Sequence, residues 1–79
     1  MTLHIRYFAI LKDQAGRTEE QIETPSKTPA ELYAELTACH GFTLPPNLIR
    51  VAIGDEFASM NDQLKDGDQV TFIPPVAGG

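Results

Sequence analysis

The sequence predicts an α+β domain, with one helix laid across a mostly antiparallel sheet. Two observations at the chain ends point to strands. Leu3, Ile5, Tyr7 and Ala9 share one side of the alternating stretch 2–10, and Val70 and Phe72 alternate with Thr71 and Ile73. The third is the strongest local signal in the chain, a helix start at Thr28-Pro29. One helix cannot cover both faces of a sheet, so one face stays open.

In the first strand, the set with Leu3, Ile5 and Tyr7 is the expected core face. Thr2, His4, Arg6, Phe8 and Ile10 take the other side, which leaves Phe8 on a mostly polar surface. Ala9 to Ala15 has helical character and ends at Gly16. Thr18 to Thr24 reads as a polar edge strand, whose charges discourage pairing with other chains. Thr28 is then an N-cap, Pro29 fits the first helical position and Glu31 completes a capping box. Leu32, Leu36 and Cys39 follow on one face and Gly41 terminates the helix. Cys39 is expected to be a small buried hydrophobe rather than a nucleophile.

Pro45-Pro46 marks a loop and residues 48–53 a strand. Gly54-Asp55-Glu56 turns the chain into a short segment starting at Phe57. Asp66-Gly67-Asp68 is a second turn and feeds the final strand. The terminal strands are apolar enough to pair with each other. The whole reads as one domain over 1–73, followed by the extended tail 74–79.

Composition narrows the function. The chain has 79 residues, 42% of them hydrophobic, and a formal charge of −5. That is globular and acidic. Nucleic acid and anionic membranes call for a basic surface, so neither is an expected partner; the overall balance suits a basic partner protein. One cysteine permits no internal disulfide and fits a reducing, cytoplasmic setting. His4 and His40 are too few and too scattered for a metal site. Asp55-Glu56 sits in a turn, with nothing to desolvate a catalytic carboxylate. No phosphate loop or nucleophile–base pair is visible, so the chain is not expected to bind a cofactor of its own.

The tail is the chemical feature. Pro74-Pro75 stops the ladder, because proline has no N–H to donate. It also holds the residue before it extended. From Pro74 to Gly79 the chain can reach about 20 Å. It ends in Gly78-Gly79, thin enough for a narrow channel in another protein and carrying a terminal carboxylate.

The ending Asp66-Gly67-Asp68-x-Val70-x-Phe72-x-Pro74-Pro75-Val76-x-Gly78-Gly79 resembles the small, sulfur-carrying subunit of molybdopterin synthase, the MoaD family. Tyr7-Phe8-Ala9, Leu11-Lys12-Asp13 and Gly16 resemble it too, so the likeness spans nearly the whole chain. One departure is Ile53-Gly54, where relatives often carry an asparagine near the glycine. The resemblance implies a β-grasp, ubiquitin-like fold, with one main helix across a mixed sheet. It also implies a cycle. A ubiquitin-activating-like adenylyltransferase would use ATP to adenylate the Gly79 carboxylate, and a sulfur donor would convert the adenylate to a thiocarboxylate. The charged tail would enter the large synthase subunit and give its sulfur to cyclic pyranopterin monophosphate. Two small and two large subunits would form a heterotetramer.

On this reading Gly79 carries the reactive carbonyl, and Pro74, Pro75, Val76, Ala77 and Gly78 thread the tail. Phe8, Phe57 and Ile73 would form an apolar docking patch, although Phe57 could equally close the core beneath its hairpin. Asp66 and Asp68 would steer a basic partner or act only as turn formers. Rival readings keep the chemistry at Gly79 and change the acceptor: thiamine, cysteine or tRNA thiolation, or lysines of other proteins if the chain is a ubiquitin-like modifier. A plain binding module would make no use of Gly79.

Overall fold

A computed structural model describes residues 1–75; the expectations for Val76, Ala77, Gly78 and Gly79 lie outside the described residues. The elements run β1 (Thr2–Tyr7), α1 (Ala9–Ala15), β2 (Glu19–Glu23), α2 (Pro29–His40), a 3₁₀ turn (Pro46–Leu48), β3 (Arg50–Ile53), β4 (Glu56–Ala58) and β5 (Gln69–Ile73). They build a five-stranded sheet in the order β2-β1-β5-β3-β4. β1 and β5 pair in parallel and every other neighbouring pair is antiparallel, so the sheet is mixed.

The alternation in β1 is realised with Leu3, Ile5 and Tyr7 inward and almost wholly buried. The strand stops at Tyr7, however, short of the expected reach to residue 10. Ala9 already belongs to α1, and Gly16 closes that helix in the left-handed region, its N–H donating to the Lys12 carbonyl at 2.9 Å. β2 is the polar edge strand.

α2 is built as its first turn dictates. The Thr28 hydroxyl accepts from the Glu31 N–H at 3.2 Å, and the Glu31 carboxylate reaches back to the Lys27 N–H at 2.7 Å. The box therefore closes one residue earlier than the usual reciprocal pair. Glu35 anchors the preceding loop, accepting from the hydroxyls of Thr24 and Ser26, which are both buried. Pro29, Leu32, Tyr33 and Leu36 face the sheet, and Tyr33 meets Phe72 at 5.4 Å between ring centroids.

Cys39 is exposed, against the expectation of burial. The buried stripe continues through His40, four residues beyond Leu36, and Cys39 falls roughly 80° from its middle at 3.6 residues per turn. His40 is held instead. Its Nε2 lies 2.7 Å from Glu20 on β2, and its ring packs against Tyr7 and Phe42. Glu20 also accepts from the Tyr7 hydroxyl at 2.5 Å, and Arg17 stands 3.5 Å away.

This cluster clips the end of α2 to the edge of the sheet. Burial pushes the Tyr7 hydroxyl well above its ordinary range, reinforced by the Glu20 carboxylate. Burial alone would raise Glu20 as well; hydrogen bonds from Tyr7 and His40, with the charges of His40 and Arg17, outweigh it and hold the carboxyl below its usual value. At neutral pH Tyr7 stays protonated and Glu20 ionised, so the pair forms a fixed clasp rather than a proton shuttle.

Because Glu20 is depressed in the folded state, its contribution is fully present above the unfolded carboxyl value of about 4.3. It is lost as pH falls through the lower folded value. In thermal melts from neutral to acid pH, the wild-type chain should lose more of its Tm on the acid limb than Glu20→Gln does. Parallel profiles would contradict this account of the clasp.

Candidate functional site

The last strand reaches the site from the middle of the sheet. β5 lies between β1 and β3, with Tyr7 beside Phe72 and Arg50 beside Ile73. Pro74 is buried and Pro75 exposed. The ladder ends at Ile73 because neither proline offers an N–H. The tail root is thus fastened at Pro74 and free at Pro75.

α2 covers one face of the sheet and leaves the other open. The register sets a row across the open face: Arg6 beside Thr71, Thr71 beside Ala52, Ala52 beside Phe57. A second row nearer the tail root holds Ile73 beside Arg50. Thr71 is buried although it lies on this face, because side chains flank it on both neighbouring strands. Phe57 is 72% exposed, which excludes the reading that it closes the core. Its parity on β4 is that of Ala52 and Thr71; the inward place belongs to Ala58, packed against the core.

Phe8 is 47% exposed and continues the β1 alternation one residue past the strand, with φ −129° and ψ 150°. The Arg6 guanidinium lies 6.0 Å from its ring centroid. Phe8, Ile73 and Phe57 therefore share the open face. They do not form one contiguous knot. Three strand spacings separate β1 from β4, roughly 14 Å, and Ile73 stands between the two phenylalanines.

Sequence reasoning missed what holds Phe8 out. Ala9 has φ +51°, a left-handed conformation that alanine seldom adopts. It turns the chain from β1 into α1, and the Phe8 carbonyl accepts from the Leu11 N–H at 3.1 Å. The turn leaves Phe8 and Ile10 exposed together and buries Leu11. No composition signal marks such a residue, since glycine is the usual choice there.

Asp66 and Asp68 form the turn before β5. Asp66 accepts from the Thr2 N–H at 2.7 Å, and Asp68 from the Lys65 N–H at 2.8 Å. Both lie at the start of β1 and β5, roughly 16 Å along the strand from Ile73. They shape the turn around Gly67, whose φ is +87°. Gly54 closes the β3–β4 hairpin with φ +64°, and Asp55 keeps an ordinary φ, as in a type II′ turn. The departure from the family at Gly54 is therefore accommodated by a standard two-residue hairpin. Among the described residues, no three His, Cys, Asp or Glu side chains gather as metal ligands, and no helix is long and apolar enough to cross a membrane.

A mixed five-stranded sheet, one main helix across its inner face and a central last strand that hands on to a tail define a ubiquitin-like β-grasp protein. The small archaeal modifier protein 1 of Haloferax volcanii has the same fold, with a TM-score of 0.80 over the whole of both chains and 22% identity. Within that class the chain belongs to the ThiS family, whose model matches residues 5–79. It is similar to the molybdopterin synthase sulfur carrier subunits of Chlamydomonas reinhardtii, 34% identical over the full length of both, and of Homo sapiens, 32% identical over 98% of this chain and 93% of the relative. It also resembles a chain in a complex of subunits 1 and 2 of the molybdopterin-converting factor from Helicobacter pylori. There the TM-score is 0.68 and identity 29%, over the whole of both chains.

The strain at Ala9 gives a direct prediction. Ala9→Val should cost about 1–3 kcal/mol in chemical denaturation, because a β-branched residue resists the left-handed region more strongly. Ala9→Gly should cost nothing measurable. Equal losses for both would mean that this turn is set by something other than its backbone conformation.

Proposed function

We propose that this chain is the sulfur-carrying small subunit of a molybdopterin synthase, and that its chemistry takes place at Gly79. The observation that carries the reading is the full-length match to relatives named as sulfur carrier subunits of that synthase, in a family match that reaches Gly79. The fold supports it by supplying a rigid body, a root fixed at Pro74 and an open face beside that root. The archaeal modifier shares the fold at too low an identity to favour conjugation to lysines.

The proposed cycle begins on a partner, an adenylyltransferase of the ubiquitin-activating kind. A Gly79 carboxylate oxygen attacks the α-phosphorus of ATP and pyrophosphate leaves. A sulfur donor then displaces AMP from the acyl-adenylate, leaving a thiocarboxylate. In the large subunit the thiocarboxylate sulfur goes to cyclic pyranopterin monophosphate, and water restores the Gly79 carboxylate. Two transfers supply the two sulfurs of the dithiolene. The chain contributes the carrier atom and its delivery, while partners contribute nucleotide binding and catalytic side chains. Val76, Ala77 and Gly78 form the thread, and Phe8, Ile73 and Phe57 the apolar contact. A tetramer of two small and two large subunits is the assembly proposed.

Glycine at the last two positions leaves room for backbone alone. Gly79→Ala and Gly78→Val should therefore reduce molybdopterin formation at least tenfold in a reconstituted assay with the large subunit and pre-thiocarboxylated chain. Their thermal melts should match wild type. Full activity in either variant would remove the channel-threading role from the tail.

A further inference from the structure

The open face divides by charge along its strands. At the end where β5 begins, the turns carry Asp55, Asp66 and Asp68; the N–H of Gly54 donates to the Gln69 carbonyl, which brings the hairpin turn to that same end. At the tail-root end Arg50 stands beside Ile73, with Phe8 just past the end of β1; Arg6 and Phe57 lie one row back, level with Thr71. Roughly 13 Å of strand separates the two ends. Arg6 is partly engaged, with Glu19 at 4.0 Å and the Phe8 ring at 6.0 Å. Arg50 is exposed, and among the described residues it has no ion-pair partner. A chain of formal charge −5 thus presents a cationic, apolar surface where its tail departs.

From this we infer that the tail-root face docks on a protein surface whose apolar centre is flanked by carboxylates, one of them opposite Arg50. The inference deepens the proposed function and rests on it, with the large synthase subunit as the partner. The chain's overall acidity would by itself suit a basic partner. The local surface governs the contact, because interactions beyond about 10 Å are screened at ordinary ionic strength. At low ionic strength, where charges act over longer distances, the acidic far end adds a second effect. It repels an acidic partner and leaves the tail-root end as the favoured approach, so charge orients the encounter before the apolar contact forms. Two arginines are too few for nucleic acid, whose binding needs many neutralised phosphates.

The test measures association of the full chain with the large subunit from the same organism, by stopped-flow, at low and high salt. Arg50→Glu should slow association about tenfold at low salt, and wild-type rates should fall with salt more steeply than those of the variant. Lys27→Glu makes the same charge change at the N-terminal end of α2, away from the open face, and should associate as wild type does. Thermal melts of all three should coincide, since both side chains are exposed. Equal rates for Arg50→Glu and wild type would overturn the inference and leave the synthase reading intact. Faster association of Arg50→Glu would overturn it too, by showing a basic surface opposite. A wild-type chain that does not bind the large subunit would remove the synthase reading and this inference together.

Discussion

The parallel ladder between Thr2–Tyr7 and Gln69–Ile73 joins the two ends of the chain at the middle of the sheet. Its inward residues, Leu3, Ile5, Tyr7, Val70 and Phe72, are among the most deeply buried in the molecule. α2 packs over them and β3 pairs with the far side of β5. Without β5 the sheet falls into two hairpin-like halves with no shared centre. A pairing between residues so distant in sequence also carries a large loop-closure cost, so it is expected to form late in folding. The body is therefore completed only by the segment that continues directly into the tail.

That constraint fixes the root of the tail to the body of the domain. A tail on an edge strand could fray with it. Here the root follows a central strand, Pro74 is buried, and the two prolines end the ladder at a fixed point. The same strand displays Ile73 toward the open face, beside Arg50, so that face and the root of the tail share one rigid support. Ala9 does a comparable job just past β1, where a strained backbone holds Phe8 outward.

Much of this was legible in the residues. Thr28, Pro29 and Glu31 announce α2, and Gly16 and Gly41 mark helix ends, because capping is local chemistry. Strand parity separated Leu3, Ile5 and Tyr7 from Arg6 and Phe8 for the same reason. What escaped depends on register between distant segments. The exposure of Cys39 follows from His40 finding Glu20 across the sheet edge. The place of Asp66 and Asp68 follows from β1 and β5 running in the same direction, which alternation cannot reveal. Phe57 was undecided between core and surface until its pairing with Ala52 fixed its side. The company of Arg50 needed that same map.

The central claim is that Gly79 is the atom-carrying end of this protein. It is tested most directly by intact mass after incubation with the cognate activating enzyme, ATP and a sulfur source. The account predicts a gain equal to one oxygen replaced by sulfur, absent when Gly79 is deleted. An unchanged mass with enzymes that charge another carrier would contradict it, and higher-mass conjugates in place of the sulfur gain would make the chain a protein modifier instead.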